Sequence, residues 1–204
     1  MKRFLGVVTF LVAFLFVFPV WSMEMRPDRL VDRTVQEVLE IIGKDERIGD
    51  DKERMLDLIE DKILPHFNFT RMTRLAMGKH WSSAAPEQQN VLVDQFRTLL
   101  VRTYSNALTS YRNETVKVNP IKELGDSVDT TVRLIVMQGS GKQPVPIDYS
   151  MEKGPDGWKV YDVTVAGVSL VTNYRGSFNS QIRKGGVDGL IKTLSDKNRS
   201  LEGK

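Results

Sequence analysis

The sequence predicts an α+β fold, in which helices wrap a curved antiparallel sheet of about four strands. Residues 23–112 have the apolar spacing of helices, and residues 113–166 have the alternation of strands. Helical spacing returns in residues 167–204, and no internal repeat or low-complexity linker divides the chain. We therefore expect residues 23–204 to form a single domain with the order helices, sheet, helices.

Four helices are predicted before the sheet. The first runs from Pro27 to a stop near Gly43, and the second covers residues 51–64, where Pro65 ends it. Thr70 is predicted to cap a short third helix. Pro86 opens the longest one, because its missing N–H costs nothing at the first helical position. That helix carries a continuous apolar stripe: Leu92, Phe96, Leu99, Leu100, Tyr104, Leu108 and Tyr111.

The predicted strands begin at Thr115, Val128, Val145 and Trp158. Gly154-Pro155-Asp156-Gly157 is a turn, so the last two strands form a hairpin. Pro144 and Pro146 both lack an N–H, which predicts an unpaired edge where the third strand begins. After Gly167, Ser169 is predicted to cap the next helix, and Gly185-Gly186 to break it.

The N-terminus has the pattern of a secretory signal peptide over residues 1–22. Lys2 and Arg3 precede an uncharged apolar run from Phe4 to Val20, and the residues up to Ser22 suit a signal peptidase. We expect cleavage near Ser22 and export to the periplasm. The alternative is a membrane anchor, since the apolar run is close to the shortest that spans a bilayer.

Composition argues against most catalytic classes. The chain has no cysteine, which excludes disulfides, thiolate metal sites and lipoprotein anchoring. Its net charge of +3 is no nucleic-acid signature. His66 and His80 are not in metal-ligand spacing, and Ser169 lacks the final glycine of a nucleophile elbow. We expect no enzymatic activity, no cofactor, no metal site and no nucleic-acid partner.

Longer motifs point to a family. Leu75-Ala76-Met77-Gly78-Lys79-His80-Trp81 precedes Pro86-Glu87-Gln88-Gln89, and Trp158-Lys159-Val160-Tyr161-Asp162-Val163 and Gly186-Val187-Asp188-Gly189-Leu190 follow in order. Over essentially the whole mature chain, this sequence resembles the MlaC family, the toluene-tolerance auxiliary components of an ABC transporter. Two positions depart from the family pattern: Asn68, where aspartate is common, and Leu92, where an aromatic residue is common.

The resemblance implies a soluble periplasmic shuttle with a phospholipid as cargo. Such proteins dock transiently on an outer-membrane lipoprotein complex and on an inner-membrane lipid ABC transporter, in a pathway that maintains outer-membrane lipid asymmetry. The implied fold is similar to the nuclear-transport-factor-2 (NTF2-like) type, with an additional helical lobe. A lipoprotein or acyl-chain chaperone and a small lipid hydrolase are the alternatives that the residues leave open.

A lipid carrier must shield acyl chains from water. Each buried methylene contributes about 0.8 kcal/mol, so two chains require on the order of 20 kcal/mol from a dry cavity of ~1,000 Å³. We expect the acyl chains between sheet and helices, with the headgroup near solvent because no glycine-rich phosphate loop follows a strand. The predicted cavity wall comprises Leu75, Leu100, Tyr104, Leu108, Val132, Leu134, Ile147, Tyr149, Val163, Val171 and Tyr174.

Overall fold

The structure is a computed structural model, and it describes residues 25–49, 51–110, 114–139 and 141–202. The signal peptide predicted at residues 1–22 lies outside this part of the chain. The side chain of Leu108, which was predicted to line the cavity, also lies outside it, although the backbone of its helix is described.

Five α-helices lie within the described ranges: α1 Pro27–Lys44, α2 Lys52–Leu58, α3 Phe69–Met77, α4 Pro86–Ser110 and α5 Leu170–Glu202. A π-helical turn at Ile59–Ile63 and a 3-10 turn at Leu64–His66 continue α2. A further 3-10 helix covers Gly78–Ser83. The predicted break in the last helix is a kink at Gly186, whose φ of 68° a side chain would disfavour. None of the described helices is long and apolar enough to cross a membrane.

The predicted cap of α3 is wrong by two positions. Asn68, not Thr70, precedes the helix, and its side-chain oxygen accepts a 2.9 Å hydrogen bond from the N–H of Arg71. The backbone N–H of Asn68 also donates to the carbonyl of Val160 at 2.8 Å. This tertiary contact sets the start of the helix, so Thr70 falls inside the first turn.

The described residues form one antiparallel sheet in the order β1-β2-β3-β4-β5, which confirms the predicted α+β class. Its strands are β1 Thr115–Val118, β2 Asp129–Met137, β3 Val145–Gly154, β4 Gly157–Val165 and β5 Val168–Ser169. The sequence did not predict β5, because two residues are too few to show alternation. A tight turn forms it, since Ala166 and Gly167 both have positive φ.

The predicted unpaired edge at the start of β3 is also wrong. Pro146 lies opposite Ile135 of β2, and its carbonyl accepts a 2.9 Å hydrogen bond from the N–H of Ala166. The missing N–H of Pro146 faces the same side as that carbonyl. Since β4 ends at Val165, the proline removes only one hydrogen bond at the end of the ladder.

Three apolar clusters hold these elements together. The first joins α3, α4 and α5 around Phe96, whose ring meets the rings of Tyr174 and Phe178 edge-on with centroids 5.0 Å apart. The second lies between the sheet and the first half of α1, and the third joins the second half of α1 to α2. Helix α1 is therefore packed against the sheet at one end and against α2 at the other.

Candidate functional site

An apolar cavity of about 130 Å³ lies between α1 and the sheet. Its wall is formed by one face of α1, one face of the sheet and the turn that precedes α3. The lining residues are Leu30, Val31, Thr34, Val35, Val38, Leu39, Ile42, Ile63, His66, Phe67, Val116, Leu134, Val136, Ile147, Tyr149, Met151 and Val160.

The spacing of these residues explains why they meet. The residues from α1 recur every three or four positions, which places them on one face of a helix. Those of β2 and β3 recur every second position, which places them on one face of the sheet. Leu134 lies opposite Ile147 in the register, so the two strands present adjacent side chains to the cavity.

Polar side chains are few in this wall. Thr34, His66 and Tyr149 are the polar residues among those that line the cavity. Burial lowers the pKa of His66, and the positive charges of Lys159 and Arg33 lower it further. Neutral imidazole is therefore favoured at neutral pH. The described residues that line the cavity include no carboxylate, no serine, no lysine and no arginine, so the wall suits an apolar ligand.

Metal binding finds no support in the described ranges, where no group of three or more histidine, aspartate or glutamate side chains is arranged to hold an ion. The second histidine, His80, lies away from the cavity, and its Nε2 is 2.8 Å from the side-chain oxygen of Asn179 on α5.

Polar contacts hold α1 over the cavity. At its first turn, the buried carboxylate of Asp28 accepts hydrogen bonds from Arg26 at 3.2 Å and from the N–H of Ile121 at 3.1 Å. At mid-helix, Glu37 forms a 2.7 Å ion pair with Lys62. These contacts fasten α1 to the loop after β1 and to the turns after α2.

A second, more polar groove of about 590 Å³ lies on the other side of Phe67, between the β3–β4 turn, α3 and α4. Phe67 lines both spaces, and its ring stacks on Phe69 with centroids 5.7 Å apart. The groove carries two cations and two carboxylates: Arg97, Lys159, Glu152 and Asp156. Phe67 therefore lies between an apolar cavity and a charged surface groove.

The residues predicted to line one cavity divide into separate groups. Leu134, Ile147 and Tyr149 do line it. Val132 and Val163 belong to the cluster between sheet and α1, without lining the cavity. Four of the others belong to the helical cluster or pack against it, away from the cavity: Leu75, Leu100, Val171 and Tyr174. Tyr104 lies on α4 and is 39% exposed.

Tyr174 illustrates this separation. Its ring packs edge-on against Phe96, and burial together with its neighbour Tyr104 raises its pKa to about 12. The lining residues that the sequence did not predict are mainly those of α1. Their helical spacing was visible, but spacing alone does not tell which element a face packs against.

Comparisons with known proteins agree with this architecture. The MlaC protein family matches residues 32–196 of the chain. The MlaC binding protein of an intermembrane phospholipid transport system in Haemophilus influenzae is 26% identical over 197 residues, covering 95% of this chain and 92% of that protein. The toluene tolerance protein ttg2D of Pseudomonas putida is 26% identical over 187 residues, covering 90% of this chain and 86% of that protein.

A solved structure is similar in both sequence and fold. It is a phospholipid-binding protein from Ralstonia solanacearum in complex with a phospholipid. The two superpose with a TM-score of 0.80 and 38% sequence identity, over 87% of this chain and 99% of that one. Family match, relatives and fold agree with the resemblance that the motifs predicted, and the chain belongs to the MlaC family.

Proposed function

We propose that this protein is a phospholipid carrier that binds acyl chains in the cavity between α1 and the sheet. The observation that carries the proposal is the nearly continuous apolar wall of that cavity, in a chain 38% identical to a protein solved with a phospholipid. Leu134, Ile147 and Tyr149 contribute to the wall from the sheet, and the apolar face of α1 closes it.

The size of the cavity determines how a lipid is admitted. A cavity of about 130 Å³ is close to the engineered ~150 Å³ cavities that bind benzene, and far below the ~1,000 Å³ that a diacyl lipid requires. Loading therefore separates α1 from the sheet. This movement weakens or breaks the hydrogen bond between Asp28 and Ile121 and the ion pair between Glu37 and Lys62.

The carrier acts in the periplasm after removal of residues 1–22. It receives a phospholipid from one membrane complex and delivers it to another, an outer-membrane lipoprotein complex and an inner-membrane ABC transporter. The names of the relatives from Haemophilus influenzae and Pseudomonas putida support this assignment to a transport system. Carriage without chemistry is supported by the relatives, which are named as a phospholipid transport system binding protein and a phospholipid-binding protein.

Native mass spectrometry of the mature protein, followed by organic extraction, tests the proposal. We expect about one intact diacyl phospholipid per protein, or loading after incubation with phospholipid vesicles. Peptide-linked acyl chains would indicate a lipoprotein chaperone, and lysolipid or free fatty acid would indicate a hydrolase. A protein that takes up no lipid in either experiment would overturn the carrier function.

A further inference from the structure

The edge of the cavity where α1 passes the turn Leu64–His66 is rich in positive charge. His66 lines the cavity from this turn, and Thr34 lines it from α1. Arg33, the residue before Thr34, and Lys159 on β4 both lie close enough to His66 for their charges to lower its pKa. Two cations from distant parts of the chain thus flank the imidazole at the cavity.

Lys159 is held in place beside this turn. Its Nζ donates a 2.5 Å hydrogen bond to the carbonyl of Pro65, the residue before His66. The acceptor is a neutral backbone oxygen, so this bond fixes the ammonium without neutralising it. Lys159 also lines the groove beyond Phe67, which places its charge at the boundary between the apolar cavity and the surface.

The nearby carboxylate does not balance these charges. Glu37 lies one turn after Arg33 on α1 and forms an ion pair with Lys62 at 2.7 Å. Among the described residues, neither Arg33 nor Lys159 forms an ion pair with a carboxylate. Two cations, Arg33 and Lys159, and one carboxylate, Glu37, therefore act on His66, an excess of one positive charge.

We propose that Arg33, His66 and Lys159 form a binding subsite for the phosphate of the lipid headgroup. An apolar cavity with cationic N–H donors at one edge matches a ligand with acyl chains joined to a phosphate. Guanidinium and ammonium groups form strong charge-assisted hydrogen bonds with phosphate oxygens, and imidazole adds a further donor. The subsite rests on the proposed carrier function, to which it adds the group that is recognised.

The chain offers a direct test, because it has only two histidines and their ring signals can be followed by NMR. The protein is loaded with phosphatidylglycerol or with diacylglycerol of the same acyl chains, and both histidines are titrated. A phosphate beside His66 stabilises its protonated form, so we expect its pKa to be higher by about 1 with phosphatidylglycerol than with diacylglycerol. His80, whose Nε2 is 2.8 Å from the side-chain oxygen of Asn179, serves as the internal control, and its ring signals are expected to be the same with both lipids.

Substitution of Arg33 and Lys159 tests whether these two cations recognise the phosphate. In the double variant Arg33→Gln/Lys159→Gln, we expect the preference for phosphatidylglycerol over diacylglycerol in a competition assay to fall at least about tenfold, because two charge-assisted hydrogen bonds to the phosphate are lost. Arg133→Gln is the matched control, since Arg133 is exposed and precedes Leu134 on β2, which places it on the opposite face of the sheet. It keeps the parent preference.

Separate outcomes decide the subsite and the carrier function. Equal pKa values of His66 with the two loaded lipids would overturn the subsite while leaving the carrier function intact. An equal rise caused by inorganic phosphate without lipid would also overturn it, by assigning a free-anion site instead. A protein that loads neither lipid would overturn both proposals.

Discussion

The carboxylate of Asp28 accepts a 3.1 Å hydrogen bond from the backbone N–H of Ile121. Asp28 lies in the first turn of α1, and Ile121 lies in the loop after β1, 93 positions along the chain. Arg26 completes the contact, because it donates to the carboxylate and also to the carbonyl of Ile121 at 2.7 Å. This is how the helix that covers the cavity is tied to the loop beside the sheet.

Asp28→Ala is expected to lower the free energy of unfolding by about 1–3 kcal/mol, because the N–H of Ile121 and the guanidinium of Arg26 both lose their acceptor. Chemical denaturation measures the change. Asp32→Asn is the control, since Asp32 is a half-buried carboxylate one turn further along α1. If α1 opens to admit lipid, Asp28→Ala also speeds exchange of bound phospholipid with vesicles. An exchange rate equal to that of the parent would argue against opening at this end.

The same carboxylate gives a pH dependence. Burial acts to raise the pKa of Asp28, but the hydrogen bonds from Arg26 and Ile121 outweigh it and hold the pKa below its ordinary value of 3.8. Its contribution to stability is therefore complete above that value and is lost as the pH falls through the folded-state pKa. We expect the stability difference between the parent and Asp28→Asn to shrink below about pH 4, as measured by urea unfolding from pH 7 to 3. A difference that stays constant over this range would contradict the assignment.

Leu39→Trp is expected to reduce lipid loading severalfold. Leu39 is half-buried on α1 and lines the cavity, so an indole there occupies the space between helix and sheet at a stability cost of about 1–3 kcal/mol. The ratio of extracted phospholipid to folded protein is the measurement. Leu56→Trp on α2 is the matched control, because Leu56 is also half-buried but does not line the cavity. Equal loading of the two variants would move the acyl-chain site elsewhere.

Asn68→Asp, which restores the residue common in the family, is expected to destabilise this protein by about 1 kcal/mol. The side-chain N–H of Asn68 donates to Glu152 at 2.7 Å, while its oxygen caps α3. Aspartate keeps the cap but places a second carboxylate against Glu152. In a Glu152→Gln background the same substitution should cost less, and thermal unfolding of the four proteins measures this coupling. An equal cost in both backgrounds would rule out the explanation.

Arg71→Lys is expected to cost about 1–2 kcal/mol. The guanidinium of Arg71 bridges Glu152 at 2.5 Å and Asp129 at 3.0 Å, and it stacks over the ring of Tyr161 at 3.5 Å. Lysine can keep one of these carboxylates and loses the planar stacking. Arg74→Lys, at an exposed position one turn later on α3, should change the stability very little. Similar losses for both would show that the network linking α3 to the sheet contributes nothing specific.

Local patterns in the sequence were sufficient to predict the class of fold, the family and most helices and strands. Helical and strand spacing, proline positions and turn glycines are local properties, and they placed α1, α4 and the first four strands within a few residues. The motifs from Leu75 to Leu190 identified the family.

Which apolar faces pack together depends on contacts between elements that are distant in the sequence. Apolar spacing shows that a face is buried, but the same pattern arises whether it packs on a sheet or on another helix. Leu100 and Tyr174 therefore resembled cavity residues although they pack in the helical cluster, while the face of α1 was not assigned to the cavity. The contacts of Asp28 with Ile121 and of Arg71 with Glu152 join residues more than 80 positions apart, and no local pattern encodes such pairs.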